Sequence, residues 1–244
     1  MRNIKLIVEY DGTNYAGWQR QKNAIAVQEI IEKAIAAITL ENNEVIGSSR
    51  TDTGVHARGY ALNFFTNCKI SGERFREAIN SKLPMDVVTI RSEEVPMNFH
   101  ARYSSKGKRY SYAILNRIQP PAIGRNYVYH HKGELNHEAM QKAAQYFIGT
   151  HDFAAFRNTG SSVQTSVRTI TMSEITRVED TVKYSVAGDG FLYNMVRIMV
   201  GTLIEVGSGK ISPEQIPDII LSKDRRKSGK SSPASGLCLE EVYY

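Results

Sequence analysis

The chain has 244 residues, 41% of them apolar and 23% charged, with a formal net charge of +6. The apolar share is below the usual globular range but enough for a core, which excludes disorder over the whole length, and the length allows one large domain or two ordinary ones. The basic excess suits a polyanionic partner, nucleic acid or an anionic membrane surface, and is equally compatible with a merely soluble basic protein.

In chain order, Ile4, Leu6, Val8 and Tyr10 alternate with Lys5, Ile7 and Glu9, which predicts a strand with one preferred face. Val27, Ile30, Ile31, Ala34, Ile35 and Ile38 follow helical spacing. A short strand, EVIGS, leads into GSSRTDTGVHARG at 47–59, after which Tyr60, Leu62 and Phe64 alternate with Ala61 and Asn63. Ser71 is placed to cap a second helix carrying Phe75, Ala78, Ile79 and Leu83 and ended by Pro84, and DVVTIRSEEV closes the half as a strand.

The second half repeats that order loosely: a strand KRYSYAIL, a helix with Met140, Ala143, Ala144 and Phe147 on one face, two paired strands RTITMSEITRVED and TVKYSVAGDG, and a helix over FLYNMVRIMVGTLIEVG. Pro213 starts another short helix, and LCLEEVYY is a final strand. The duplicated order predicts an α+β protein of two ferredoxin-like βαββαβ units side by side, with mainly antiparallel sheets and a cleft between the units. The join is placed at YSSKGK, giving an N-terminal unit over 1–104 and a C-terminal unit over 105–244. KDRRKSGKSSP, at 223–233, is rich in Lys, Arg, Ser and Gly and is expected to form an exposed, mobile loop.

Several kinds of chemistry are disfavoured. Cys68 and Cys238 stand far apart without a CxxC, and the six histidines lack metal-ligand spacing, so no metal site is expected. GKS at 229–231 has Asp224 where a phosphate loop needs Gly, and no GxGxxG follows a strand. MRNIKLIVEYDG has no signal-peptide h-region, and MVRIMVGTLIEVG is too short and too charged to span a bilayer. The expectation is a cytoplasmic protein with reduced thiols and no membrane association.

Arg50 and Asp52 are two apart and project to the same side if the segment is extended, which would put a guanidinium beside the carboxylate and favour its charged form. A structural ion pair with an Asx-type turn explains the same residues. DTG also invites an aspartic-protease reading, but this helix-rich chain does not fit a small all-β subunit. Basic residues interleave with aromatics in SSKGKRYSYAIL, YDGTNYAGWQRQ and RNYVYHHK, a mixture that RNA recognition uses for phosphates and unstacked bases. Half-buried strand tyrosines explain it too: that reading is preferred for Tyr112, while Tyr110 stays open. Arg197, at the margin of an apolar helix face, is either a snorkelling residue or the partner of a buried acid.

Taken in order, YDGTNYAGWQRQ (10–21), GSSRTDTGVHA (47–57), KRYSY (108–112), GFLYNMVRIMVGTL (190–203) and SPASGLCLEEVYY (232–244) resemble the signatures of the tRNA pseudouridine synthase A family. The resemblance extends over nearly the whole chain. It departs at Tyr60, where the family often has Gln, and at GSS, a variant of a more Gly-rich version. It implies conversion of uridine to pseudouridine in the tRNA anticodon stem-loop, at nucleotides 38, 39 and 40, by a homodimer without metal or organic cofactor. It further implies Asp52 as the carboxylate at C1′ and Arg197 as its cationic partner. Arg50 would fill the space left by the flipped base and hold phosphates. Tyr110 would stack on the uracil, its phenol assisting proton removal from C5. Leu237 would pack near the uracil, with plain core packing as the alternative.

Overall fold

The structure, a computed structural model, describes residues 1–158, 160 and 164–244. It is α+β, with five α-helices among the described residues and strands that pair mostly antiparallel. The chain divides into two compact units, Met1–Lys106 together with Cys238–Tyr244, and Gly107–Leu237. The last strand therefore returns to the first unit, a long-range pairing that element order alone does not reveal.

The first unit contains β1 (Arg2–Tyr10), α1 (Val27–Thr39), β2 (Ile46–Gly47), β3 (His56–Thr66), α2 (Phe75–Asn80) and β4 (Val87–Val95). β1 lies between β3 and β4 and is antiparallel to both, with Leu6 opposite Leu62 and Ser92. β2 is antiparallel to the later part of β3. β10 (Leu237–Tyr243) runs parallel to the start of β3, Cys238 opposite His56 and Leu239 opposite Ala57. The alternation read from β1 is the observed one: Ile4, Leu6 and Val8 are fully buried. They join Val27, Ile31 and Ile35 of α1 in the core, where Phe64 and Phe75 meet edge to face at 5.5 Å. α2 is shorter than its apolar spacing predicts. Ser71 makes no side-chain cap bond, a 3-10 turn occupies Gly72–Arg74, and the helix stops at Asn80 before reaching Leu83. The Asn80 side chain is engaged instead with the Thr89 backbone, accepting its N–H at 2.7 Å and donating to its carbonyl at 2.9 Å.

The second unit contains β5 (Gly107–Asn116), β6 (Tyr129–His131), α3 (His137–Gln145), β7 (Gly149–Asp152), β8 (Val167–Val178), β9 (Thr181–Gly188), α4 (Met195–Gly207) and α5 (Ile216–Ser222). Its antiparallel strands follow the order β5-β9-β8-β7, and β6 pairs parallel with β5. Asn136 caps α3, its side chain accepting from Ala139 N–H at 2.9 Å. α4 begins at Met195, four residues later than the apolar run, because Asn194 adopts a left-handed φ of 60° that a right-handed helix cannot continue. The stretch 223–233 is not simply a loop exposed to solvent. Gly229 is buried, and its N–H donates to Thr202 Oγ1 at 2.9 Å. A Cβ on Gly201 would collide with the Lys230 carbonyl, so α4 and this stretch meet backbone to backbone. Arg225 donates to Asn158 Oδ1 (3.2 Å), Ser228 Oγ (2.9 Å) and the Gly229 carbonyl (2.8 Å), while Arg226, Lys227 and Lys230 remain exposed. The charge density that suggested a solvated loop is thus partly spent on tying it down.

Candidate active site

In the first unit the R-T-D triplet is organised by its middle residue. Thr51 is buried; its carbonyl accepts the Trp18 N–H at 3.1 Å, and its hydroxyl pairs with the Tyr10 hydroxyl at 2.8 Å. The flanking Arg50 is exposed and Asp52 half-buried. Val55 N–H donates to the Asp52 carbonyl at 3.1 Å, closing a tight turn in which Gly54 has a φ of 79°, a value that strains L residues. Gly54 N–H in turn donates to the Tyr15 carbonyl at 3.3 Å.

The segment 10–21 forms the cradle for this turn, and its glycines explain how. A Cβ on Gly12 would overlap the Val55 carbonyl, and Gly12 N–H donates to His56 Nδ1 at 3.1 Å. Gly17, with a φ of 86°, sits so close that a Cβ would overlap the Thr51 carbonyl and lie 3.1 Å from the Asp52 carbonyl carbon. Two sequence-distant segments are therefore in backbone contact around Asp52, which only residues without side chains permit. Sequence reading quoted both glycines but missed this role; the available signal was the presence of two glycines in an otherwise polar and aromatic stretch.

In the second unit, Tyr110 lies on β5 opposite Val186, is 7% exposed, and meets the Phe191 ring edge-on at 5.2 Å. Tyr112, two residues on and fully buried, organises what surrounds it. Burial pushes its phenol well above the ordinary tyrosine range, with the nearby Arg197 charge opposing that rise. The neutral hydroxyl donates to the Pro233 carbonyl at 2.7 Å, and Gly236 packs directly on the ring. Arg197 projects from α4 to the same turn. Its Nε donates to the Ser232 carbonyl at 2.7 Å, its Nη1 to Asn194 Oδ1 at 2.9 Å, and Ser232 N–H donates back to the Arg197 carbonyl at 3.0 Å. The guanidinium is thus held by protein groups rather than reaching loosely into water. Leu237, 6% exposed, follows Gly236 at the end of that turn. Tyr110, Arg197 and Leu237 thus lie in the second unit, while Asp52 and Arg50 belong to the first.

No group of three His, Cys, Asp or Glu residues among the described residues could hold a metal ion. No helix among them is long and apolar enough to cross a membrane. The first unit presents a carboxylate on a braced turn, and the second a fixed guanidinium and a nearly buried tyrosine.

Comparison with known proteins places the chain in a family. A family model described as tRNA pseudouridine synthase matches residues 6–104 and 143–244. The chain is 58% identical over 244 residues to the tRNA pseudouridine synthase A of Acetivibrio thermocellus and 56% identical over 244 residues to that of Clostridium acetobutylicum, in each case over 100% of both chains. It is 52% identical over 245 residues to the tRNA pseudouridine synthase A of a Thermoanaerobacter species, again over 100% of both chains. A solved structure of a Cbf5-Nop10-Gar1 complex matches 96% of this chain and 57% of its own at 12% identity and a TM-score of 0.40, a likeness on which nothing further rests.

Proposed function

The chain belongs to the tRNA pseudouridine synthase family and is an isomerase of uridine in tRNA; from that premise we propose that its targets are nucleotides 38, 39 and 40 of the anticodon stem-loop and that Asp52 is its catalytic carboxylate. The reaction breaks the N1–C1′ bond, turns the uracil, and joins C5 to C1′; C5 loses a proton and N1 gains one. Nothing is oxidised and no group is donated, so the chemistry calls for no cofactor. Glycosidic cleavage develops positive charge on the sugar, which a carboxylate at C1′ stabilises or captures covalently.

The observation that carries this reading is the bracing of Asp52. Its turn is held by Tyr10, Tyr15 and Trp18 and closed upon by Gly12 and Gly17, so the carboxylate has a fixed backbone in a part of the chain that has no regular secondary structure. Preorganisation of this kind suits a group that must meet one sugar carbon. The uridine leaves its stack to reach the site, which costs a few kcal/mol offset by contacts to the extruded nucleotide. Arg50 fills the vacated space and holds phosphates, Tyr110 stacks on the uracil, Arg197 serves as the cationic partner of Asp52, and Leu237 packs near the base. Each unit is read as ferredoxin-like, the first carrying the catalytic carboxylate and the second completing the site; in the first, the order β4-β1-β3, with β2 also paired to β3, supports this. The working form is a cytoplasmic homodimer with tRNA contacting both subunits.

Incubating the protein with unmodified tRNA transcript and mapping pseudouridine tests the reading. Modification at the anticodon stem-loop is expected; modification confined to other parts of the tRNA would overturn the assignment of the target, and none at all would overturn the activity.

A further inference from the structure

Tyr60 and the GSS at 47–49, which leads into the Arg50–Asp52 triplet, touch each other. The Tyr60 hydroxyl donates to the Ser49 carbonyl, and its oxygen accepts the Ser49 N–H at 3.4 Å. The ring of Tyr60, fully buried, stacks on Trp18 with centroids 3.9 Å apart and tilts against Tyr10 at 5.8 Å. Trp18 and Tyr10 are the two residues that hold Thr51, one through its N–H and the other through its hydroxyl. Gly47 leaves room for the Tyr60 hydroxyl and the indole, since a Cβ there would lie 2.5 Å from Trp18 Nε1.

The backbone pattern gives this contact its purpose. Gly47 still pairs with Leu62, and Ser48 N–H donates to the Ala61 carbonyl at 2.9 Å. Beyond Ser48 the segment leaves the ladder, and the next backbone group, at Ser49, is fastened by the Tyr60 hydroxyl one strand position further along. Arg50, Thr51 and Asp52 follow at once. The phenol reaches the Ser49 carbonyl, and the same ring supports the two aromatics that fix Thr51. A single side chain therefore braces the loop on both sides of Arg50.

We propose that Tyr60 is a positioning residue for the isomerisation: through the Ser49 carbonyl and the Trp18–Tyr10 stack it sets the place of Arg50 and Asp52, without touching RNA itself. This rests on the activity and on the Asp52 assignment given above. The step from structure to rate is the usual one, in which a small displacement of a reacting group costs far more than the contact that prevented it.

The test uses full-length protein carrying Tyr60→Phe, which keeps the ring and removes the hydroxyl, and Arg50→Ala, alone and combined. The single-turnover rate of pseudouridine formation in Tyr60→Phe is expected to fall at least tenfold, more than one lost hydrogen bond accounts for, with tRNA affinity within about twofold of wild type. The effects of Tyr60→Phe and Arg50→Ala are expected to be strongly non-additive, because both act on one loop. Amide hydrogen exchange adds a readout independent of activity: residues 49–52 should lose protection in Tyr60→Phe while β1 keeps its own. Unchanged rate and unchanged exchange would overturn the proposal. So would a rate loss that adds simply to that of Arg50→Ala, with no local change in exchange. Wild-type protein unable to modify tRNA would instead overturn the activity, and the exchange measurement alone would then decide the structural claim.

Discussion

Replacing Gly17 by Ala perturbs the contact on which the placement of Asp52 depends. Two costs add. The backbone there has a φ of 86°, and an L residue held in that region loses about 1–2 kcal/mol. The new methyl would also overlap the Thr51 carbonyl, which belongs to backbone and cannot swing aside. Overpacking of that kind costs about 1–3 kcal/mol, so the total is about 2–5 kcal/mol. The protein meets this by losing stability, by moving the 51–55 turn, or by both. Gly209→Ala separates the two terms, because Gly209 has a φ of 74° with nothing within 4 Å of a Cβ; it should show only the conformational cost, about 1–2 kcal/mol. Urea unfolding of both variants, together with pseudouridine formation on tRNA transcript, measures the outcome. Gly17→Ala is expected to lose clearly more stability than Gly209→Ala, or to lose about a hundredfold in rate through displacement of Asp52. A Gly17→Ala variant that matches Gly209→Ala in stability and retains wild-type turnover would refute the reasoning.

Other perturbations reach different parts of the structure. Tyr112→Phe removes the donor to the Pro233 carbonyl and should cost about 1–1.5 kcal/mol in urea unfolding. Arg225→Ala removes bonds to Asn158, Ser228 and Gly229 and should destabilise by about 2 kcal/mol, which thermal or urea unfolding will show. Burial pushes the Cys238 thiol up to about 12 from an ordinary 9.0, so it should resist alkylation at pH 8 in the native protein and react on unfolding. That raised value contributes stability below pH 9, lost as pH climbs toward 12. Asp152 is held below the usual carboxylate range chiefly by the Lys223 and Ser166 side chains. Its contribution is therefore present above pH 3.8 and lost as pH falls below it, and the stability gap between wild type and Lys223→Ala should narrow over that acid window.

Much of this fold is legible in the sequence because burial imposes periodicity. β1 alternates because one of its faces is core, and α1 shows its stripe because Val27, Ile31, Ala34 and Ile35 are all buried. The short strands β6 and β7 carry too few residues for a period and are invisible to that reading. The apolar run sets the start of α4 too early because Leu192 is as apolar as the helix that follows, while the break comes from the backbone conformation of Asn194. The Lys, Arg and Ser content of 223–233 hides the hydrogen bonds made by Arg225 and the backbone contact at Gly201. The candidate site shows the same division. Asp52, Tyr110 and Arg197 are visible as residue types in suggestive places. What Gly12, Gly17 and Tyr60 leave room for or touch lies across the chain, and spacing in one sequence carries no record of that.

The most direct measurement is pseudouridine formation by Asp52→Asn, a nearly isosteric change that keeps the turn and removes the ionisable carboxylate. The variant should fold, bind tRNA with wild-type affinity and form no pseudouridine. Turnover at the wild-type rate would show that the carboxylate of residue 52 is not the group on which the chemistry depends.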